Sequence, residues 1–591
     1  LVVAALSACG RSGAALQKDA QAFIDAYTAR YMVLNYDYAK AEWQSNTMIV
    51  EGDTTNATAT RAARETLAAF TGSAENIENA RKFLETRDKL TPLQVRQLEK
   101  ILYTAADNPQ TVADLVKERI KAETQQTEKL YGFDFKVRDK SVSTNDIDDI
   151  LKTSNDLDYR LAAWESSKGV GAAIKDNLVK IRGLRNQTVQ ALGYPDYFSY
   201  QVSQYGMTTE ELLAMMRQFN VDIRPLYREL HTYARYLLAA RYGVKEVPDL
   251  LPAHWVPNRW SQDWSAMITV EGLDLDSALK AKEPEWFTKQ GEQFYVSLGF
   301  PPLPTSFWEL SSLYPVPEGA TYKKNNHASA WHMDLESDLR CLMSVIPNAE
   351  WYETAHHELG HIYYYIAYTN PDVPPLLRGG ANRAYHEGIG SLLGLAAMQE
   401  PFLAGLGLLP ADAKTDKMQL LLKEALNFAV FLPWSAGVMT EFEYELYAKN
   451  LPPDQFNKRW WEIVQQYQGV VPPSPRGEEF CDAASKTHIS DDAAQYYDYA
   501  ISYVLLMQLH DHIARQILHQ DPHATNYYGS QEVGRFLADI MRPGESQDWR
   551  GVLREKTGQD LTAKPMLDYF EPLMAYLREQ NQGRTYTLPE L

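Results

Sequence analysis

His356-His357-Glu358-Leu359-Gly360-His361 sets two imidazoles four residues apart. On a helix both project from one face and can hold a single zinc ion, with Glu358 beside the metal. A pattern of this kind arises by chance about 0.02 times in a chain of this composition, so it is a real signal that still needs a third ligand. Zinc in a hydrolase takes three protein ligands and keeps one position open for water. The candidate is Glu387, in Tyr385-His386-Glu387-Gly388-Ile389-Gly390, 26 residues beyond His361. Taken singly, Glu387 reads as an acid favoured near a helix N-terminus by the macrodipole. The turn-rich Asn370–Gly380 segment between the two stretches changes that reading, because a helix–loop–helix brings both helices to one metal. Serine-triad, P-loop and dinucleotide signatures are missing from any convincing context.

Outward from this stretch the chain reads as mainly helical. From Asp19 onward, Phe23, Tyr27, Tyr31, Leu34, Tyr38 and Ala41 recur at three- and four-residue spacing, which is one face of an amphipathic helix. Similar stretches occupy Leu212–Tyr242, Met418–Phe431, Trp434–Lys449 and Ala493–Ile517, separated by proline-rich breakers such as Pro301–Pro304 and Pro472–Pro475. Extended structure is expected around Ala328–Trp331 and Cys341–Ile346, where β-formers gather. No repeat of 20–50 residues and no low-complexity linker divides the chain after residue 19. Its 591 residues carry 77 acidic against 58 basic groups, a net charge of −19, and no basic patch is visible, so a nucleic-acid partner is not expected. Three cysteines, Cys9, Cys341 and Cys481, have no metal-knuckle spacing and cannot build a disulfide framework.

The opening Leu1–Gly10 run is apolar and ends in small residues, like the tail of a secretory signal. Leu6-Ser7-Ala8-Cys9 resembles the bacterial lipobox, in which the cysteine is lipidated. The expected organisation is therefore 1–8 as signal remnant, 9–18 as lipidated Cys9 plus flexible tether, and 19–591 as one zinc peptidase domain. An exported, periplasmic or cell-envelope location follows, with membrane attachment through the lipid alone. No later stretch reaches 18 uninterrupted apolar residues.

The residues around the zinc motif resemble the angiotensin-converting-enzyme family of zinc peptidyl-dipeptidases, in a bacterial form. His356–His361, then Arg378, Gly380-Ala381-Asn382 and His386–Gly390 follow its H-H-E-[LM]-G-H … R-x-G-A-N … H-E-[AG]-[IM]-G pattern, with two extra residues between. Further blocks are similar in order: Phe23 through Trp43–Thr47; Pro252–Trp255 with Asn258, Trp260, Gln262 and Trp264; His327-Ala328-Ser329-Ala330-Trp331; and Lys486-Thr487-His488-Ile489 followed by Tyr496 and Tyr499. The resemblance implies a large helical ellipsoid of two lobes around a deep central zinc cleft, with a few short β-strands. It also implies that His357, His361 and Glu387 bind one zinc per chain and that Glu358 is the general base. His488 and Tyr499 would stabilise the oxyanion. Gln262, Lys486 and Tyr496 would grip the C-terminal carboxylate of an oligopeptide, while His327 and Ala328 line its extended backbone. Two extended residues span about 7 Å, so an anchor at that distance from the metal releases C-terminal dipeptides.

Three departures stand out. Ser391 occupies the place of the family carboxylate that supports a zinc-ligand histidine. Asp498 stands where animal members have a chloride-binding arginine, so chloride activation is not expected. The animal disulfide cysteines are unmatched, and Cys341 and Cys481 read as buried thiols or as one another's partner. The competing functional readings are a related oligopeptidase or carboxypeptidase and a non-catalytic, zinc-containing peptide-binding lipoprotein.

Overall fold

The computed structural model describes residues 13–50, 52–271, 274–410 and 414–591. The signal remnant 1–8 and Cys9 lie outside the described residues. Among the described residues the architecture is mainly α, with three two-stranded sheets. The first helix, Gly13–Thr47, begins inside the segment expected to be a tether. Residues 13–18 are ordered by packing: Leu16 lies against the cluster of Ala20, Ile24, Tyr27, Ala80, Leu98 and Ile101, and Gln17 Nε2 donates to Lys89 O at 2.8 Å. This N-terminal group of helices has its own small core, apart from the large one that encloses the motif helices.

His356–His361 lies in the helix Ala349–Tyr368, which Asn348 caps by accepting from Trp351 N at 2.8 Å. Glu387 lies in Arg383–Ala397, capped in the same way by Asn382. The two helices cross where both have glycine. A Cβ on Gly360 would sit 2.8 Å from Gly390 Cα, and one on Gly390 would sit 3.0 Å from the His357 ring. Only hydrogen at both sites lets the backbones approach this closely. The helix Tyr497–His512 packs on the other side of Arg383–Ala397, where a Cβ on Gly388 would meet Leu505 Cδ2 at 3.1 Å.

The two expected extended stretches pair with each other. Ser329–His332 runs antiparallel to Leu339–Leu342, with Ala330 opposite Cys341. The second strand stops short of Ile346 because the chain changes partner: Met343 N and Val345 N donate to Ser312 O and Leu313 O. Tyr365 OH donates to Ala330 O at 3.1 Å, tying this sheet to the motif helix.

Two helix expectations change in detail. Lys417–Leu432 and Thr440–Tyr447 are joined through a π-helical turn, Pro433–Met439, rather than broken at Pro433. The wider turn accommodates the missing proline N–H, and Thr440 Oγ1 donates to Ser435 O, five residues back, at 2.7 Å. The helix expected from Ala493 starts at Tyr497. Ala494 has φ of 61°, a left-handed conformation outside any α-helix, and its N–H donates to Glu443 Oε1 at 2.6 Å. Cys341 and Cys481 are both buried free thiols.

Candidate metal centre and active site

Helical spacing places His357 and His361 on one face, and the Gly360–Gly390 crossing brings Glu387 against them. His357 Nε2 and His361 Nε2 face each other at 3.1 Å, and His357 Nε2 is 3.7 Å from Glu387 Oε2. One donor atom from each of the three residues falls within 4.8 Å of the other two. Burial lowers the pKa of His357 against the opposing pull of Glu387. Burial, then His357 and His386, hold His361 well below the usual range. Both rings therefore offer neutral lone pairs at neutral pH. Two neutral imidazoles and a carboxylate converging on one point suit a zinc ion with a fourth position left open.

The outer ring nitrogens have partners of their own. Ser391 Oγ lies 3.5 Å from His357 Nδ1, so the serine occupies the supporting position but at the limit of a hydrogen bond. His361 Nδ1 is 3.3 Å from His386 Nδ1. His386 is wedged among Tyr364, Tyr365 and Tyr368, and burial lowers its pKa to about 3. With His361 Nε2 turned to the metal position, its Nδ1 would carry the proton and donate to His386 Nδ1. The sequence analysis quoted His386 only as part of a motif; its i−1 position to Glu387 gave no sign that its ring would turn back to His361.

Glu358 follows His357 directly and is only 6% exposed. Burial, reinforced by Glu387, pushes its carboxyl up to about 8. It is a group poised to exchange a proton near neutrality.

A second cluster gathers distant parts of the chain. Lys486 Nζ donates to Gln262 Oε1 at 3.1 Å, and Tyr496 OH donates to the same oxygen at 3.4 Å. Burial, then Arg259, bring Lys486 down to about 7. Trp260 and Trp434 flank its ammonium, each with its ring centroid at 5.6 Å. Beside this cluster His488 packs edge-on against Tyr496, and Tyr499 OH lies 3.5 Å from His488 Nε2. Burial, then Lys486, lower His488 to about 3, so the ring is neutral. Gln262, Lys486 and Tyr496 thus form one unit, and His488 with Tyr499 another joined to it. His327 and Ala328 make no contact with either unit; His327 is exposed and bonds locally, its Nδ1 2.8 Å from Ala328 O.

The family model described as Angiotensin-converting enzyme matches residues 14–588. The chain belongs to the angiotensin-converting-enzyme family. Curated members of that family are similar along three quarters of the chain. The pig (Sus scrofa) angiotensin-converting enzyme is 32% identical over 456 residues, 74% of this chain and 34% of the pig protein. Those of the hamster Mesocricetus auratus and the mouse Mus musculus are 31% and 32% identical, each over 75% of this chain and 35% of their own length. The chain therefore spans about a third of the curated relatives it matches. Family membership accounts for the helical architecture.

Arg383 and Asp492 were not singled out by the sequence analysis, yet both reach the catalytic candidates. Arg383 stands one helical turn before Glu387 and donates to Tyr499 OH at 3.2 Å. In the chain it is simply the residue after the helix cap Asn382, with nothing in its neighbours to announce a contact 116 positions away.

Proposed function

We propose that this protein is a zinc-dependent peptidyl-dipeptidase that removes dipeptides from the free C-terminus of oligopeptides. The observation that carries the reading is the pairing of a His357–His361–Glu387 donor set, flanked by Glu358, with a buried lysine–glutamine–tyrosine cluster suited to a carboxylate. His357, His361 and Glu387 would hold the metal, one ion per chain. Zinc in such a site supplies Lewis acidity that acidifies a water and polarises a peptide carbonyl.

Glu358 takes the proton from the attacking water and passes it to the departing amine; its raised pKa suits both halves of that transfer. Tyr499 and His488 donate to the oxygen that gains charge as the peptide carbon becomes tetrahedral. Lys486, Gln262 and Tyr496 hold the terminal carboxylate, a charge-assisted contact in a dry setting, while His327 and Ala328 lead into the strand Ser329–His332 that extended substrate would follow. With Asp498 at its position, activity needs no added chloride; a several-fold rise with chloride at fixed ionic strength would refute this. Export and attachment through a lipid on Cys9 rest on the Leu6–Cys9 pattern, and Cys9→Ser should release the protein from membranes. Among the described residues no helix is long and apolar enough to cross a membrane.

The deciding experiment is mass spectrometry of the products from a nonapeptide and its C-terminal amide, with wild type, Glu358→Ala and chelator-treated protein. Stepwise loss of two residues from the free acid alone, abolished by both treatments, is expected. Equal internal cleavage of both peptides would point to an oligopeptidase, single-residue release to a carboxypeptidase, and zinc binding without cleavage to a peptide receptor.

A further inference from the structure

The half-buried polar network behind Tyr499 has no role in the mechanism above, yet it converges on a hydroxyl that mechanism depends on. Arg383 supplies the N–H groups. Its Nη2 donates to Tyr499 OH at 3.2 Å and pairs with Asp492 Oδ2 at 2.7 Å; its Nη1 donates to Asp492 Oδ1 at 2.9 Å; and its Nε lies 2.9 Å from Asp498 Oδ2. Asp498 is 1% exposed and anchors the guanidinium on its inner side, while the Arg383 and Asp492 side chains are about one-third exposed. Asp492 further accepts from Gln495 Nε2 at 3.1 Å, which holds the carboxylate in its turn. The fork pairs Nη1 and Nη2 with the two Asp492 oxygens, which limits how the guanidinium can turn, and Asp498 adds an ion pair beside Nε.

The consequence falls on the phenol. A tyrosine oxygen carries one proton and two lone pairs. When an arginine N–H occupies a lone pair, the hydroxyl proton is turned away from Arg383, and with His488 Nε2 at 3.5 Å, the limit of a hydrogen bond, that proton stays available to the oxyanion. The same cation withdraws charge from the oxygen. Burial raises the Tyr499 pKa to about 12, and Arg383 is the largest influence opposing that rise. A donor both oriented and strengthened is worth more to a developing oxyanion than a freely rotating one. Arg383 also stands on the helix that carries Glu387, so one helix sets the position of a metal donor and the direction of an oxyanion donor together.

We propose that Arg383 is a positioning residue that acts through Tyr499, aiming and strengthening its hydroxyl for the transition state, with Asp492 and Asp498 holding the guanidinium in place. The inference rests on the reading of Tyr499 as an oxyanion donor. It goes beyond that reading in assigning a role to a residue that touches neither substrate nor metal.

The test is a double-mutant cycle between Arg383→Lys and Tyr499→Phe, read as kcat and KM separately, with zinc content and thermal unfolding on each variant. Lysine keeps the charge against Asp492 and Asp498 but has one nitrogen for acceptors that the fork serves with three. Arg383→Met with Asp498→Asn is the neutral alternative should lysine fail to fold. Tyr499→Phe should lower kcat about 100-fold. Arg383→Lys should lower kcat about tenfold with KM within threefold, and should cost nothing further in the Tyr499→Phe background. A phosphonate peptide, tetrahedral at the scissile position, should bind the lysine variant about tenfold more weakly, while a product dipeptide binds unchanged. Additive losses in the cycle would overturn the proposal, since Arg383 would then act by another route. An unchanged kcat in Tyr499→Phe would instead remove the oxyanion reading on which it depends. A fall in kcat matched by lost zinc or a lower unfolding temperature would make Arg383 a structural residue and overturn it too.

Discussion

Lys486 shows how a single buried group sets the conditions under which a site works. Its ammonium must be charged to hold a carboxylate, but burial and Arg259 bring it down to about 7, so the charge is present below neutrality and lost as pH rises. An N-acetylated dipeptide has no titrating amine in this range. Its dissociation constant should weaken about tenfold between pH 6 and pH 8, measured by calorimetry, and Lys486→Met should bind weakly with no such slope. Glu358→Gln keeps the shape of the side chain and removes the base; kcat should fall by about 10²–10⁴ with zinc content unchanged. Ser391 Oγ reaches His357 Nδ1 only at 3.5 Å. Ser391→Asp should tighten zinc about tenfold in chelator competition, and an unchanged affinity would mean that the aspartate does not reach the ring. At this scale the sequence was readable where spacing is local. The i, i+4 histidines and Ser391 are found where the sequence analysis put them, whereas His386 and Arg383 carry no local signal and emerge only when rings and forks are seen in place.

At the scale of elements, the crossing of Ala349–Tyr368 over Arg383–Ala397 decides whether a metal site exists at all. Gly360→Ala places a methyl group 2.8 Å from Gly390 Cα, forcing the helices apart at the level of the ligands. A cost of about 1–3 kcal/mol is expected, seen as a lower unfolding temperature together with reduced zinc content. Gly551, in the helix Trp549–Thr557, has nothing within 4 Å of its Cβ position, and Gly551→Ala should be neutral or slightly stabilising. If both variants behave alike, close approach is not what the glycine at 360 provides. Helix periodicity located Gly13–Thr47, Thr209–Arg241, Lys417–Leu432 and Tyr497–His512 but not Ala113–Tyr131 or Leu157–Gln190, and it missed boundaries as well. The backbone at Ala494 turns left-handed, where Glu443 receives its N–H, and Pro433 is absorbed in a π-turn. Both outcomes depend on partners far along the chain, which a periodic pattern does not contain.

For the molecule as a whole, a bound metal would add to the packing and the few hydrogen bonds that join Ala349–Tyr368 to Arg383–Ala397. A ligand bound solely by the folded state adds about 4 kcal/mol of stability at a thousandfold excess over its dissociation constant. Chelation should therefore lower the unfolding temperature, zinc should restore it, and His361→Ala should show neither response. By itself the sequence determined the helical class, the candidate donor residues and the family, because amphipathic spacing, i, i+4 ligand geometry and ordered motif blocks are written in nearby positions. The tertiary structure alone decided that His386 turns to His361 and that Arg383 meets Tyr499 across 116 positions. Such meetings follow from how closely packed helices cross, and side-chain volume at the crossing, down to the missing methyl of Gly360, is a property of the folded whole.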